Sequence, residues 1–292
     1  EAAINVLEQV INTEPDNADV QNSIAYAYSQ KGELHKAIKH YEKAIYLNGN
    51  FAKAHFNLGI TLLKNGDLKR GFAECEWRWQ TGQFTPFQCP HPRWKGEDIS
   101  NKTLLIHTEQ GAGDAIQFIR YVPLAAKLCQ GIILVCLPEL IPLFKNIPEI
   151  DKLMPPGELK LSEFDIYVPL MSLPYIFGTT LETIPANIPY LQSTNSNHIN
   201  LTNTQYKVGI VWSGSYTHKN DGNRSCKITD FLPILQVPGV KFYSLQKGEN
   251  RQELTQVPSN IQIEDLSYQL NNYADTAAVI EQLDLVITVD TS

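Results

Sequence analysis

The chain has 292 residues, 43% of them hydrophobic, enough for two or three domains with ordinary apolar cores. Its 24 basic and 31 acidic residues leave a net charge of -7, and no lysine or arginine block could neutralise a run of phosphates, which argues against nucleic acid as a partner. The longest apolar run, GIILVCLPELIPLF, is broken by Pro138, Glu139 and Pro142 and is too short to cross about 30 Å of hydrocarbon, so no transmembrane segment is expected. No basic-then-apolar leader opens the chain. Five cysteines, at 75, 89, 129, 136 and 226, form no C-x-x-C pair, and three of them fall in apolar or helical patterns. These features predict a reduced, cytoplasmic protein with no zinc or other metal.

In chain order, the first element is a repeat. Shifting the sequence by 34 residues lays Ala18 on Ala52, Ile24 on Leu58, Ala25 on Gly59, Gly32 on Gly66, Leu34 on Leu68 and Ala37 on Gly71. Small residues at fixed places let paired helices approach closely, and the two glycines end the first helix of each pair. Over residues 1 to about 80 this spacing resembles the tetratricopeptide repeat family, with Gly49 in place of the usual proline. The resemblance implies stacked helical hairpins whose concave face takes a peptide or protein partner; a packing platform for the following domain is the equal alternative. Trp77 and Trp79 read as packing against the next domain rather than as a ligand site.

Residues 81 to 100, TGQFTPFQCPHPRWKGEDIS, carry three prolines and two glycines with no apolar period, a linker or extended strap. His91 has no second histidine or cysteine at a ligand spacing. From Thr103 onward TLLIHT, GIILVCL, FDIYVPL, YKVGIVWS, VKFYSLQ and LDLVITVD read as buried strands, and residues 114–129, 139–146, 229–236 and 274–282 carry helical periodicity. Polar residues 191–205 divide two α/β groups. The fold class is therefore α-helical repeats (1–80), the linker (81–100), and α/β in two Rossmann-like halves, 101–200 and 203–292, facing across a cleft. The chain opens inside a helical pattern at Glu1 and stops at Ser292 directly after a strand, so further structure is expected at both ends, and the second half is read as truncated.

Two loops carry the candidate chemistry. EQGAGDAIQFIRY joins a strand to a helix through Gln110, Gly111 and Gly113, yet the dinucleotide fingerprint G-x-G-x-x-G fails at Ile116. Asp114 caps free N–H groups and repels a phosphate at the same spot; an aspartate with an intrinsic pKa of about 3.9 is ionised at neutral pH and able to take a proton from a hydroxyl. In the second half, SGSYTHKNDGNRS supplies Ser213, Gly214, Lys219 and Arg224 at a strand end, where backbone N–H groups, hydroxyls and two cations form a diphosphate clamp. Gln246-Lys247-Gly248 after VKFYSL and the Asp290-Thr291-Ser292 terminus converge on the same edge. Ordinary polar loops are the alternative.

EQGAGDAIQFIRY, VPLMSLPYIFGTTLETIP, VGIVWSGSYTHKND with Arg224-Ser225, SLQKG and YADTAAVIEQLDLVITVDTS, in this order, resemble bacterial tetratricopeptide-repeat proteins whose C-terminal region is similar to the ADP-heptose:lipopolysaccharide heptosyltransferases of glycosyltransferase family 9. The GT-B architecture is shared more distantly with O-linked N-acetylglucosamine transferases. The resemblance implies an inverting, metal-independent glycosyltransferase whose donor substrate is a nucleotide-diphosphate sugar, with no cofactor. By the same resemblance Asp114 is the general base, with Gln110, Gly111 and Gly113 in its acceptor-side loop. Lys219 and Arg224 steady the leaving diphosphate, and Asp290 and Thr291 contact donor sugar and phosphate; Ser213 and Lys247 complete the donor side. The acceptor is a hydroxyl of a peptide, protein, lipid or glycan, presented with help from the repeat. The alternative is a noncatalytic interaction scaffold with a degenerate transferase-like domain.

Overall fold

A computed structural model describes residues 2–193, 199–201, 205–215 and 220–291. The N-terminal region is five helices: α1 (Ala2–Thr13), α2 (Ala18–Lys31), α3 (Leu34–Leu47), α4 (Ala52–Lys64) and α5 (Leu68–Cys75), followed by a 3-10 turn at Glu76–Gln80. Strands and short helices then alternate: β1 (Ile99–His107), α6 (Ala112–Phe118), α7 (Val122–Ala126), β2 (Cys129–Val135), α8 (Ile141–Phe144), β3 (Lys152–Met154), β4 (Ile166–Pro169) and α9 (Leu173–Ile176). The second half holds β5 (Tyr206–Val211), α10 (Leu232–Leu235), β6 (Val240–Ser244), β7 (Ile263–Asp265), α11 (Tyr273–Ile280) and β8 (Leu285–Thr288).

The chain condenses into two compact units, one of residues 1–99 with 165–186, the other of 100–164 with 187–292. In the first, the 34-residue period is visible in the backbone. Gly32 and Gly66 both take a left-handed φ, 84° and 86°, just past α2 and α4, and Gly32 N–H returns to the carbonyls of Tyr28 and Ser29. Only glycine enters that region freely, so the turn recurs where the glycine does. The core uses small residues as contact points: Ala25, Ala37, Ala44 and Ala54 are fully buried among Ile24, Tyr41, Leu58 and Leu62. At Gly59 an added Cβ would stand 2.7 Å from the Cys75 backbone nitrogen and 2.9 Å from the Gly71 carbonyl, so α4 and α5 meet at near backbone contact. Trp77 packs on the repeat itself, where its sequence context suggests packing against the next domain: it stacks on His55 of α4 at 3.9 Å, and His55 bridges Glu74 and the Gly49 carbonyl.

The strap after residue 80 is tied down within the same unit. Trp94, 1% exposed, donates its backbone N–H to the Tyr167 carbonyl of β4 at 2.7 Å and its indole N–H to the Glu97 carbonyl. Arg78, 2% exposed, donates to Glu76 and Ser172, both at 2.7 Å, and Arg93 donates to the same two side chains. Both guanidinium groups lie over the Trp79 ring. A buried and a partly buried cation are tolerable here because a carboxylate, a hydroxyl and an aromatic face share them.

The strands form two four-stranded sheets, in the orders β3-β2-β1-β4 and β7-β6-β5-β8. The second is parallel throughout, with Val208 opposite Phe242 and Leu285, and Phe242 opposite Ile263. Its strands bury both faces. Val208, Ile210, Trp212 and Phe242 form one cluster with Ile228 and Leu235, while Tyr243 and Leu245 join Leu266, Leu270 and Val279 in another. The strand order reverses beside β5: β6 and β7 follow on one side, β8 on the other. Such a reversal leaves a crevice at the carboxyl ends of the strands, the usual ligand position in open parallel sheets.

Two expectations need correction. The helical pattern over 114–129 ends early, at Ala126, and Cys129 opens β2 instead, because the following CQGIILV run is claimed by pairing in the sheet. The strands β3 and β7, three residues each, have no counterpart in the sequence reading. Burial pushes the thiols of Cys75 and Cys136 up to about 12, which makes them inert packing groups.

Candidate functional site

The crevice of the second sheet is a cavity of about 530 Å³ at the ends of β5, β6 and β8, within the usual size of ligand pockets. Its floor is the turn after β5, Ser213 to Ser215; one wall is Gln246 to Asn250 after β6, and another is the Asn272-capped start of α11. Leu245, Leu270, Ile280 and Val286 supply apolar surface, and Tyr273 adds an aromatic ring.

The floor is braced by Gln246, which the sequence places at this strand end without assigning it a role of its own. Its Oε1 accepts from the Trp212 and Ser213 N–H groups at 3.1 and 2.9 Å. Its Nε2 donates to the Ser213 and Lys247 carbonyls at 3.0 and 2.9 Å. All four bonds are made by a side chain 2% exposed, so the carboxamide is fully satisfied and stitches two strand ends together. Ser225 completes the brace: its hydroxyl accepts from Gly214 N–H at 3.0 Å and donates to Asp221 at 2.6 Å. Ser213, 3% exposed, contacts Ser225 through its hydroxyl and accepts from Asn250. A polar residue directly after an apolar strand, as Gln246 stands after VKFYSL, is the signal that could have marked it.

This geometry revises the expected clamp. The backbone N–H groups of residues 212, 213 and 214 are already bonded within the protein. Lys247 lines the cavity, but its ammonium donates to the Ser267 and Leu270 carbonyls, both at 2.7 Å, because a part-buried cation must find acceptors. Lys219 lies outside the described residues. Arg224 is brought to the cavity edge: its guanidinium stands beside Gly214 and Thr291, donates through Nη2 to the Asp290 carbonyl, and faces the Asp290 carboxylate at 4.0 Å. Thr291 lines the cavity; Asp290 has a side chain 96% exposed.

On the other strand end, Gly111 caps α6 and Asp114 reaches back to accept from the Gly111 N–H at 3.2 Å. Gln110 and Gly113 flank it, both half-buried. Burial pushes the Asp114 carboxyl above the usual aspartate range, the Gly111 N–H opposes this, and the negative charge of Asp290 adds to it. Asp114 is not among the cavity-lining side chains; its link to the cavity edge runs through Asp290. A carboxylate so placed is a better base than a free one. Among the described residues no three His, Cys, Asp or Glu side chains converge as metal ligands.

Comparison with known proteins adds the following. Across 98% of its length the chain is 23% identical to protein FlbA of Caulobacter vibrioides, and it spans 59% of that protein. Among solved structures it is similar to the bacterial iron-containing dodecameric glycosyltransferase TibC of enterotoxigenic E. coli, at 12% identity and a TM-score of 0.46, over 66% of this chain and 55% of that one. It is also similar to an O-GlcNAc transferase mutant from Thermobaculum terrenum, at 12% identity and a TM-score of 0.27, over 98% of this chain and 70% of that one. Neither likeness is close enough to carry chemistry, which rests on the cavity. A family model does match the helical region: residues 25–66 match a TPR repeat.

Proposed function

We propose that the chain carries the donor cavity and the acceptor-side base of a glycosyltransferase that moves a sugar from a nucleotide-diphosphate sugar to a hydroxyl, with inversion and without a metal. The observation that carries this reading is the cavity of about 530 Å³ at the strand-order reversal, apolar at one end and bounded by Arg224 and Thr291 at the other. Leu245, Leu270, Ile280 and Tyr273 suit a nucleoside, and the Gly214–Arg224–Thr291 edge suits the diphosphate. In the reaction the acceptor oxygen bonds to the anomeric carbon as the bond to the diphosphate breaks. The acceptor proton passes to Asp114, and the electron pair leaves with the diphosphate, steadied by Arg224. The TPR repeat aids acceptor or partner binding.

One observation favours a second reading, a noncatalytic scaffold: the N–H groups of residues 212–214 and the Lys247 ammonium are bonded within the protein. A panel of ADP-, UDP-, GDP- and CDP-sugars separates the two. The transferase reading expects a ligand-dependent rise in melting temperature with at least one donor, and Asp114→Asn should keep that rise while turnover falls by roughly 10²- to 10⁴-fold. No rise with any donor establishes the scaffold; normal turnover in Asp114→Asn removes Asp114 from the role of base.

A further inference from the structure

The cavity floor uses up its own donors, and among the described residues this concentrates its capacity for anions at Arg224. Gln246 and Ser225 take the N–H groups of residues 212 to 214, and the carbonyls of residues 267 and 270 hold Lys247. Arg224 is different: its Nε is buried with no hydrogen-bond partner among the described residues, and it sits where a Cβ on Gly214 would stand 3.4 Å away, with the Thr291 hydroxyl 3.5 Å from the same point. A guanidinium is a fork, and an oxyanion bound at this edge would engage both Nε and Nη2. The Nη2 arm, however, is held by the chain itself, through the carbonyl and the carboxylate of Asp290.

We propose that Asp290 is a built-in competitor for the anion, a specificity-determining residue that holds the Arg224 fork and yields it only to a ligand of higher charge than a carboxylate. This deepens the nucleotide-diphosphate reading of the same cavity. A phosphate entering beside Gly214 and Thr291 displaces the Asp290 carboxylate, which stands 4.0 Å from Nη2 and, 96% exposed, turns out to solvent at little cost, while the Asp290 backbone carbonyl keeps one Nη2 hydrogen and the other is left for the anion. A diphosphate outcompetes the single carboxylate, whereas a monovalent anion does not. The position runs opposite to a direct sugar contact by Asp290, under which removing its charge weakens donor binding or leaves diphosphate binding unchanged.

The test is calorimetric titration of the purified chain with inorganic pyrophosphate at fixed low ionic strength. Asp290→Asn should bind it about two- to fivefold tighter than the parent, the range set by an exposed ion pair, and the gain should shrink with added salt. Arg224→Gln should lose pyrophosphate binding, and adding Asp290→Asn to it should restore nothing. Glu158→Gln, which removes an exposed charge from a distant loop, should leave affinity unchanged. Equal or weaker binding in Asp290→Asn overturns the inference, as does the absence of pyrophosphate binding in every variant, or a gain matched by Glu158→Gln. ADP, UDP, GDP and CDP titrated alongside separate the two readings: if none binds better than pyrophosphate while Asp290→Asn still tightens pyrophosphate, the nucleotide reading falls and the role of Asp290 stands.

Discussion

The turns after β1 and β5 occupy the same station in two sheets of equivalent strand order, yet they are finished with different chemistry. After β1 a carboxylate closes the turn, Asp114 on the Gly111 N–H. After β5 neutral groups do so, the Gln246 carboxamide and the Ser225 hydroxyl on three successive N–H groups. In the first turn the charge sits directly on the capped N–H; in the second a neutral group stands between the N–H groups and the nearest carboxylate, Asp221. A glycine turn at a strand end is therefore not in itself an anion cradle; the group that caps its N–H decides.

The contrast breaks most completely at Gln246. Gln246→Leu strands two buried N–H groups and the buried Ser213 carbonyl, each worth about 1–3 kcal/mol, and frees the Lys247 carbonyl nearer solvent, so a stability loss of about 3 kcal/mol or more is expected in urea unfolding; a loss below about 1 kcal/mol would mean the brace is replaceable. Ser225→Ala comes next. It frees the Gly214 N–H and the Asp221 carboxylate, both nearer solvent, and should cost about 1–2 kcal/mol by the same measurement.

The two glycines sharpen the comparison at smaller scale. Neither Gly111 nor Gly214 has a positive φ, so neither is required by backbone geometry. A Cβ at Gly214 would come 3.4 Å from Arg224 Nε, while at Gly111 the nearest atom is Asp114 Oδ2 at 3.6 Å. Gly214→Ala should weaken pyrophosphate binding severalfold with a melting temperature close to the parent, and Gly111→Ala should stay within about 0.5 kcal/mol of parental stability. Equal effects on binding would erase the distinction between the turns.

The smallest effect belongs to Asp114→Asn. Burial and Asp290 raise the Asp114 carboxyl in the folded state, so the protonated form is favoured there. That contribution is fully present below the unfolded-state value and is lost as pH rises through the raised folded value. Asparagine keeps an oxygen for the Gly111 N–H without the buried charge. Its melting temperature should therefore match or slightly exceed the parent near pH 7, and the difference should diminish as the pH falls into the carboxylate range. A variant less stable at pH 7 would show that the charge itself holds the turn.

The sequence made some of this legible and hid the rest for definable reasons. Long apolar runs announced β1, β2, β4, β5, β6 and β8, and the recurring Gly32 and Gly66 announced the helical hairpins. β3 and β7 escaped because three residues are too few to show alternation. Asp114 was readable as a cap from its place three residues after Gly111. The Gln246 brace and the hold of Asp290 on Arg224 were not, since they join residues 33 to 66 positions apart and follow no period. Lys247 was misread for a related reason: a lysine at a strand end looks like a free cation until the carbonyls that surround it are known.

The first compact unit takes residues 165–186 from the middle of the α/β sequence and joins them to residues 1–99. Ser172 receives both Arg78 and Arg93, and Tyr167 pairs with the strap at Pro92 and Trp94. The helical repeat is thus not an adaptor that can be exchanged at a single junction. Moving it to another protein, or replacing it with a repeat of different partner preference, demands two cuts and the transfer of a second segment.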